Sequence, residues 1–306
     1  MCSSDLMEMN PGTASKEKCR ALYQMGINRL SIGLQSTNDM ELKTLGRIHS
    51  YEDFINTYTW CREAGFQNIN VDLMAALPYQ TVESYTTGLR KIIRLAPEHI
   101  SAYSLILEEG TPFYQKYNSG CYPLPDEEQE RLMYRETEQI LAQAGYERYE
   151  ISNYAKKGYA CRHNLVYWQG GDYLGLGLGS SSYMDGVRFH NTTDFNTYVN
   201  QGAYVEDREE LSVQAKMEEF MFLGLRVMAG VSGTEFEKRF GKTMEDVYGD
   251  VLRKHEEEGL LQIERKEDRK EAAAAEPAKG KTNIEKVMLT TNGVDVSNYV
   301  FADFLL

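Results

Sequence analysis

Residues 25–35 decide the fold, and they run Met-Gly-Ile-Asn-Arg-Leu-Ser-Ile-Gly-Leu-Gln. Gly26 suits the left-handed residue that ends a helix, and Arg29–Gly33 has the composition of a buried strand. The same junction of a glycine and an apolar residue recurs at 64–66 and 144–146. Repeated strand–helix–strand units predict an α/β fold with a parallel sheet or barrel, in which ligands bind at the carboxyl ends of the strands.

Helix caps predict where several of these helices begin. Ser15 and Thr81 are each expected to cap a helix, and Ser50 with Asp53 forms a capping-box pattern. Further strands are predicted at 6–9, 69–73 and about 99–107, and a long helix at 126–144. The first half of the chain therefore alternates strands and helices.

The C-terminal third shows a different pattern. Helices are predicted at 214–228 and up to 258–259, followed by strands at 260–264 and 287–290. Two helices and a β-hairpin are typical of a winged helix. The charged, alanine-rich stretch at 265–283 is interpreted as a solvated wing tip.

Composition limits the classes of function. The chain has 33 Lys and Arg against 46 Asp and Glu, which argues against broad nucleic-acid binding. Residues 255–258, before the predicted wing, are His-Glu-Glu-Glu, which has the wrong sign for a phosphate backbone. Neither a membrane span nor a secretion signal is predicted. Five widely spaced cysteines form no C-x-x-C pair, which favours reduced thiols and a cytoplasmic location.

Four polar residues are predicted just past successive strand ends, and they are Glu8, Gln35, Arg47 and Asp72. Asp72 interrupts the run Asn-Val-Asp-Leu-Met, where a carboxylate is costly unless it is paired or faces a ligand. Each residue alone is better explained by a helix cap or a structural ion pair. Together they favour a ligand that carries ammonium, carboxylate and hydroxyl groups.

A second candidate site is the segment 161–168, Cys-Arg-His-Asn-Leu-Val-Tyr-Trp. A neutral His163 imidazole would be a good iron ligand, and Tyr167 and Trp168 could cover a flat macrocycle. Alternatively, His163 is a hydrogen-bonded core residue, or Cys161 is the ligand. The glycine-rich run at 175–182 is only loosely similar to a phosphate loop, because it lacks the lysine of that motif.

Several segments resemble the radical SAM proteins related to oxygen-independent coproporphyrinogen III oxidase. His163-Asn164-x-x-Tyr167-Trp168 is similar to the haem-associated H-N-x-x-Y-W motif of the haem-chaperone branch of that family. The resemblance extends from about Met7 to the end of the chain. The other segments are Glu-Met-Asn-Pro-Gly-Thr from residue 8, Gly-Ile-Asn-Arg-Leu-Ser-Ile-Gly-Leu-Gln-Ser from 26, Asn-Val-Asp-Leu-Met-Ala-Ala-Leu-Pro from 70, Glu-Ile-Ser-Asn-Tyr-Ala from 150 and Leu-Thr-Thr-Asn-Gly-Val-Asp-Val-Ser-Asn-Tyr-Val from 289.

The resemblance implies a three-part organisation. Residues 1–125 would form a partial radical SAM (β/α) barrel that lacks its first strands. Residues 126–210 would form a barrel extension and linker that carries the haem segment, and residues 211–306 a small winged-helix-like domain.

The resemblance also implies two ligands. S-adenosylmethionine would lie among Glu8 for its ammonium, Arg47 for its carboxylate, and Gln35 and Asp72 for its ribose hydroxyls. The backbone near Ile106 would flank its adenine. Haem would bind His163, Asn164, Tyr167 and Trp168, with its iron on His163.

Two departures from the family pattern matter. The C-x-x-x-C-x-x-C motif, which would bind a [4Fe–4S] cluster, is absent. We therefore expect an N-terminally truncated chain, in which residues 1–6 are foreign or mis-assembled sequence. Ser181 stands where many relatives carry a histidine, so the role of that position is in doubt.

The expected function is that of a haem chaperone, which passes haem to an unidentified acceptor protein. The intact family protein would also carry S-adenosylmethionine and the cluster, and membrane association would be peripheral and through the acceptor only. One alternative is an oxygen-independent coproporphyrinogen III dehydrogenase, and another is a fragment without redox chemistry. Whether the chain is an enzyme stays open.

Overall fold

The computed structural model describes residues 6–201, 205–266 and 284–306. The chain divides into two compact units, one that ends at Ala160 and one that begins at Cys161. The boundaries predicted at 125 and 210 stay a prediction. None of the helices in the described ranges is long and apolar enough to cross a membrane.

The first unit is built on one six-stranded sheet with helices beside it. Its strand order is β1-β2-β3-β4-β6-β5. The first four strands are parallel, while β6 runs antiparallel to β4 and β5 antiparallel to β6. The strands are β1 (Leu6–Met9), β2 (Arg29–Gln35), β3 (Ile69–Ala75), β4 (His99–Ser104), β5 (Glu147–Glu150) and β6 (Asn153–Ala155). The helices are α1 (Lys16–Gln24), α2 (Asp39–Thr44), α3 (Tyr51–Ala64), α4 (Val82–Arg94), α5 (Pro112–Asn118) and α6 (Glu127–Gln143).

The predicted helix caps are confirmed. The Ser15 hydroxyl accepts from the Lys18 amide at the start of α1. Both hydrogen bonds of the Ser50–Asp53 capping box form at the start of α3, and Gly65 ends that helix with a φ of 111°. Only a residue without a Cβ adopts this left-handed conformation at little cost, which explains the glycine at this junction.

The two faces of the sheet differ in polarity. Alternate residues of its central strands, such as Leu30, Ile32, Val71 and Ile100, are fully buried in a core with the helices. Because successive side chains of a strand point to opposite faces, the residues between them lie on the other face. Those residues are polar, and they build the candidate site.

The second unit begins with a short helix and a three-stranded antiparallel sheet. The order of this sheet is β7-β8-β9. The elements are α7 (Arg162–Trp168), β7 (Ser181–Met184), β8 (Val187–Asn191), α8 (Phe195–Gln201) and β9 (Val205–Glu210).

The remainder of the second unit has its own apolar core, which includes Met221, Phe236, Tyr248 and Phe304. A helix that the sequence did not predict, α10, lies between the two that it did. The predicted wing tip lies outside the described residues from residue 267 on, so the winged-helix assignment stays a prediction. The elements are α9 (Val213–Gly224), β10 (Val231–Ser232), α10 (Gly233–Phe240), α11 (Met244–Glu257), β11 (Leu261–Arg265), β12 (Ile284–Leu289), α12 (Thr291–Asp295) and α13 (Ser297–Ala302).

Candidate functional site

The strand register arranges the polar face of the first sheet in two rows. The first row contains Glu8, Ser31, Asn70 and His99. The second contains Gly33, Asp72, Ser101 and Asn153. Neighbouring strands therefore bring two carboxylates, hydroxyls, amides and an imidazole together on one surface.

Gly33 lies at the centre of this polar face. A Cβ atom at this position would lie 3.0 Å from Gln35 Nε2, 3.6 Å from Asn10 Oδ1 and 4.0 Å from Asp72 Oδ2. Arg47 Nη1 in turn donates a hydrogen bond to Asn10 Oδ1 over 3.2 Å. Two of the four predicted residues, Gln35 and Asp72, therefore lie next to Gly33, and Asn10 links Arg47 to the same place.

Gln35 is held in one orientation by Tyr103. The Tyr103 hydroxyl donates to Gln35 Oε1 over 3.0 Å, which leaves Gln35 Nε2 to face Gly33. Gln35 has a φ of 71°, a conformation that costs of order 1–3 kcal/mol for a residue other than glycine. Burial raises the pKa of Tyr103 to about 12, so its hydroxyl stays protonated at neutral pH. Gln35 therefore offers an amide donor to a ligand.

Asp72 accepts hydrogen bonds on both carboxyl oxygens. Asn70 Nδ2 donates to Oδ1 over 2.6 Å, and the Ser31 hydroxyl donates to Oδ2 over 3.2 Å. Burial raises the pKa of Asp72, the hydrogen bonds from Asn70 and Ser31 oppose that rise, and the negative charge of Glu8 adds to it. A cationic or hydroxyl-bearing ligand would stabilise this carboxylate.

The predicted residues lie at other positions relative to the strand ends than expected. Glu8 and Asp72 lie within β1 and β3 rather than past the ends of those strands. Arg47 follows helix α2, because the connection from β2 to α3 contains that extra helix. The four residues are therefore not at equivalent strand ends, as predicted, although Arg47 still reaches Asn10.

A cavity of about 260 Å³ lies beside Arg47. Leu105, Ile106 and Phe113 also line it, and the Ile106 side chain is 86% exposed. The structure thus brings Arg47 and Ile106 to one cavity, with apolar surface of the kind that an adenine ring would contact.

Three residues of this site were missed by sequence reasoning, namely Asn10, Asn70 and the side chain of Tyr103. The period-two spacing of polar residues in 70–72 and 99–103 was the available signal. This spacing places the side chains of each strand on one face. Which residues of neighbouring strands lie side by side depends on the strand register, which the spacing does not give.

The predicted haem segment forms α7. His163 is exposed at the surface, so it is not a buried core residue, whereas Cys161 is 3% exposed. The His163 and Tyr167 rings pack edge to face with their centroids 4.9 Å apart, and the Tyr167 and Tyr173 rings lie 4.6 Å apart. An accessible imidazole next to aromatic rings could bind a planar iron ligand through one face.

Trp168 lies in a different environment from His163. The Arg226 guanidinium stacks on its ring, 4.3 Å from the centroid. Its indole Nε1 is buried and has no hydrogen-bond partner among the described residues. Asn164 is half-buried on the same helix. Trp168 therefore anchors α7 to the chain that follows α9 through a cation–π contact.

The glycine-rich run after α7 uses its own backbone amides. The Gly175 amide donates to the Ser182 hydroxyl, and the Gly179 amide donates to the Thr192 carbonyl. These amides are not available to a phosphate, which weakens the resemblance to a phosphate loop. Ser181 pairs with His190 of β8, so a histidine does lie next to this position.

The described cysteines do not form a group of three thiolates of the kind that an iron–sulfur cluster needs. Cys19 and Cys61 are fully buried with their sulfur atoms 3.5 Å apart, and burial raises the pKa of the Cys61 thiol. Cys121 is exposed elsewhere in the first unit. Within the described ranges, no group of three or more His, Cys, Asp or Glu side chains could hold a metal ion. Residue 2 lies outside those ranges.

Comparisons with known proteins show which family the chain belongs to. The Radical SAM superfamily matches residues 6–88, and the HemN C-terminal domain matches residues 211–267. Over 267 residues the chain is 38% identical to heme chaperone HemW of Bacillus subtilis, a match that covers 85% of this chain and 70% of that protein. The chain belongs to the HemW family. Heme chaperone HemW of Lactococcus lactis is 35% identical, with 98% of this chain and 75% of that protein covered.

A solved structure shows that the HemW-family fold is shared more widely. Coproporphyrinogen III oxidase HemN from Escherichia coli, described as a radical SAM enzyme, superposes with a TM-score of 0.78. The match covers 98% of this chain and 69% of that one, at 18% sequence identity. The family resemblance and the α/β fold predicted from the sequence are confirmed. Membership of the radical SAM superfamily implies S-adenosylmethionine and a [4Fe–4S] cluster in the family.

Proposed function

We propose that this HemW-family chain is a haem chaperone that binds haem at α7 and transfers it to an acceptor protein. The observation that carries this proposal is the exposed His163 imidazole beside Tyr167, in a chain 35–38% identical to heme chaperones. His163 would bind the iron, and Tyr167 would contact the edge of the macrocycle. Asn164 and Trp168 would support the helix that presents both side chains.

We propose that the polar face of the first sheet binds S-adenosylmethionine. Asp72 and Gln35 would bind the ribose hydroxyls, one as an acceptor and the other as a donor. Arg47, oriented by Asn10, would pair with the methionyl carboxylate, and Glu8 with the ammonium group. The residues present fit this molecule, because acceptors, donors and a guanidinium lie close to one another on the polar face around Gly33.

When bound to a [4Fe–4S] cluster, S-adenosylmethionine supplies radical chemistry. The described residues contain no set of ligands for that cluster. The role that we propose for the described residues is to bind and orient S-adenosylmethionine.

Haem titration tests the chaperone proposal. We expect added haem to produce a Soret band, whose titration gives the Kd for haem. The Kd should rise at least about tenfold in His163→Ala, because loss of the iron ligand removes more than 1.4 kcal/mol of binding free energy. His190→Ala is the matched control, since His190 is half-exposed and pairs with Glu206 and Asp207 in the same unit.

Two outcomes would contradict the proposal. Equal haem affinity of His163→Ala and His190→Ala would remove the ligand assignment. Turnover of coproporphyrinogen III by the protein would replace the chaperone by the dehydrogenase that the sequence left as an alternative.

The partners follow from the same proposal. Haem is the cargo, and the acceptor is a haem-requiring protein that no residue of this chain identifies. We place the protein in the cytoplasm, where its thiols stay reduced. Membrane association would be peripheral, through the acceptor, and the acidic composition disfavours nucleic acid as a partner.

A further inference from the structure

His99 is a buried histidine in the first row of the polar face, and both of its ring nitrogens have partners. Nδ1 lies 2.6 Å from Asn70 Oδ1, and Nε2 lies 2.9 Å from the Tyr149 hydroxyl. An amide oxygen only accepts, so Nδ1 carries the proton of the ring. Burial, and then the charge of Arg29, lower the pKa of His99 well below its usual range. The ring is therefore neutral, and Nε2 accepts from Tyr149.

The orientation of the Asn70 amide follows from the His99 proton, and it makes Asn70 a donor to Asp72. Its Oδ1 accepts from His99 and from the Ser101 hydroxyl, which lies 3.2 Å away. Its Nδ2 donates to Asp72 Oδ1 over 2.6 Å and to Ser31 Oγ over 2.8 Å. All four hydrogen-bonding positions of the amide are thus used, and a flipped amide would set Nδ2 against the N–H of His99.

We propose that Tyr149, His99 and Asn70 form a chain of positioning residues that holds Asp72 as a hydrogen-bond acceptor for the ligand of the polar face. The direction of donation runs from Tyr149 to Asp72 without interruption. This inference rests on the proposed function, in which that ligand is S-adenosylmethionine.

These hydrogen bonds matter because opposing effects act on the protonation state of Asp72. Burial and the nearby Glu8 favour its protonated form, whereas the hydrogen bonds from Asn70 and Ser31 favour the carboxylate. If the Tyr149 hydroxyl is removed, His99 can carry its proton on Nε2 and accept at Nδ1. Asn70 would then turn its oxygen toward Asp72, which must protonate in order to donate to it.

Tyr149→Phe tests the proposed series of hydrogen bonds, and Tyr146→Phe is the matched control. Tyr146 belongs to the first unit as well, and its buried hydroxyl donates to the Pro97 carbonyl over 2.6 Å, away from Tyr149, His99 and Asn70. We expect Tyr149→Phe to weaken S-adenosylmethionine binding about fivefold to tenfold by calorimetry, a typical effect of one hydrogen bond. Tyr146→Phe should change the affinity less than about twofold.

Nuclear magnetic resonance supplies a readout that does not need the ligand. We expect the ¹⁵N spectrum to show His99 protonated at Nδ1 in the wild type, with an Nε2-protonated form appearing in Tyr149→Phe. The pKa of the Asp72 carboxyl should rise in Tyr149→Phe and stay unchanged in Tyr146→Phe. Protonation of wild-type His99 at Nε2, or equal Asp72 pKa values in the two variants, would overturn the inference.

The two proposals can fail separately. Failure of the wild type to bind S-adenosylmethionine would contradict the proposed function. The spectra of His99 and Asp72 would still show whether the hydrogen bonds from Tyr149 to Asp72 have the proposed direction. In an Asp72→Asn background, Tyr149→Phe should have no further effect on the affinity for S-adenosylmethionine, because Tyr149 acts through Asp72. A double-mutant cycle measures this coupling between the two residues. Additive losses would contradict the inference.

Discussion

The Tyr103 hydroxyl donates a hydrogen bond to Gln35 Oε1 over 3.0 Å, and it thereby orients an amide whose nitrogen faces Gly33. The two residues are far apart in sequence and belong to β4 and β2. Their contact shows how the candidate site is shaped across strands, with one side chain setting the donor that another presents.

Tyr103→Phe should weaken S-adenosylmethionine binding about threefold to tenfold, because Gln35 loses the hydrogen bond that orients it. Isothermal titration calorimetry measures the change. Tyr79→Phe is the control, since the Tyr79 hydroxyl donates to the Cys121 carbonyl and has no contact with Gln35. Similar affinity in both variants would show that Gln35 does not depend on Tyr103.

Gly33→Ala should block the site with little effect on folding. The added methyl group would lie 3.0 Å from Gln35 Nε2, so it would displace the amide that we assign to the ligand. We expect at least about a tenfold loss of S-adenosylmethionine affinity, in line with the cost of a displaced contact. Gly249→Ala in α11 is the control for the added methyl group, and wild-type affinity in Gly33→Ala would mean that the ligand lies elsewhere.

Asp72→Asn should raise the free energy of unfolding at neutral pH while it weakens ligand binding. The pKa of Asp72 is raised in the folded protein, so the unfolded chain ionises first as the pH increases. The destabilisation appears between the usual pKa of 3.8 and the raised value, and it persists at higher pH. Urea unfolding at several pH values would show the advantage of the variant shrinking as the pH falls through that window. An advantage independent of pH would contradict this explanation.

Phe304→Ala should destabilise the second unit by about 3–5 kcal/mol, the usual cost of emptying a buried aromatic site. Phe304 is fully buried, and its ring lies 5.2 Å from that of Tyr248. Leu306→Ala is the matched control, because Leu306 is 54% exposed. Chemical denaturation monitored by circular dichroism measures both, and equal stability of the two variants would contradict the role of Phe304 in the core.

Much of the fold could be predicted from the sequence. The junctions at Gly26 and Gly65 and the caps at Ser15 and Ser50 are encoded within a few residues of each other, since caps and left-handed glycines act locally. Helix α10 was missed, although its cap at Ser232 and its left-handed Gly241 are signals of the same local kind.

The candidate site could be predicted only in part. Glu8, Gln35, Arg47 and Asp72 were identified from their residue types and spacing, but their placement past strand ends was wrong for three of them. Arg47 follows a helix, and Glu8 and Asp72 lie inside strands. Asn10, Asn70 and Tyr103 were missed because each acts on a residue of another element.

The sequence by itself determined the helix caps and glycine junctions, the family, and the residue types that face the proposed ligands. Only the tertiary structure decided that Tyr149, His99 and Asn70 stand in line behind Asp72, and that Arg47 reaches Asn10. The physical reason is the range of the interactions. A cap needs residues three positions apart, whereas a hydrogen bond between strands depends on a register that the whole packed sheet sets.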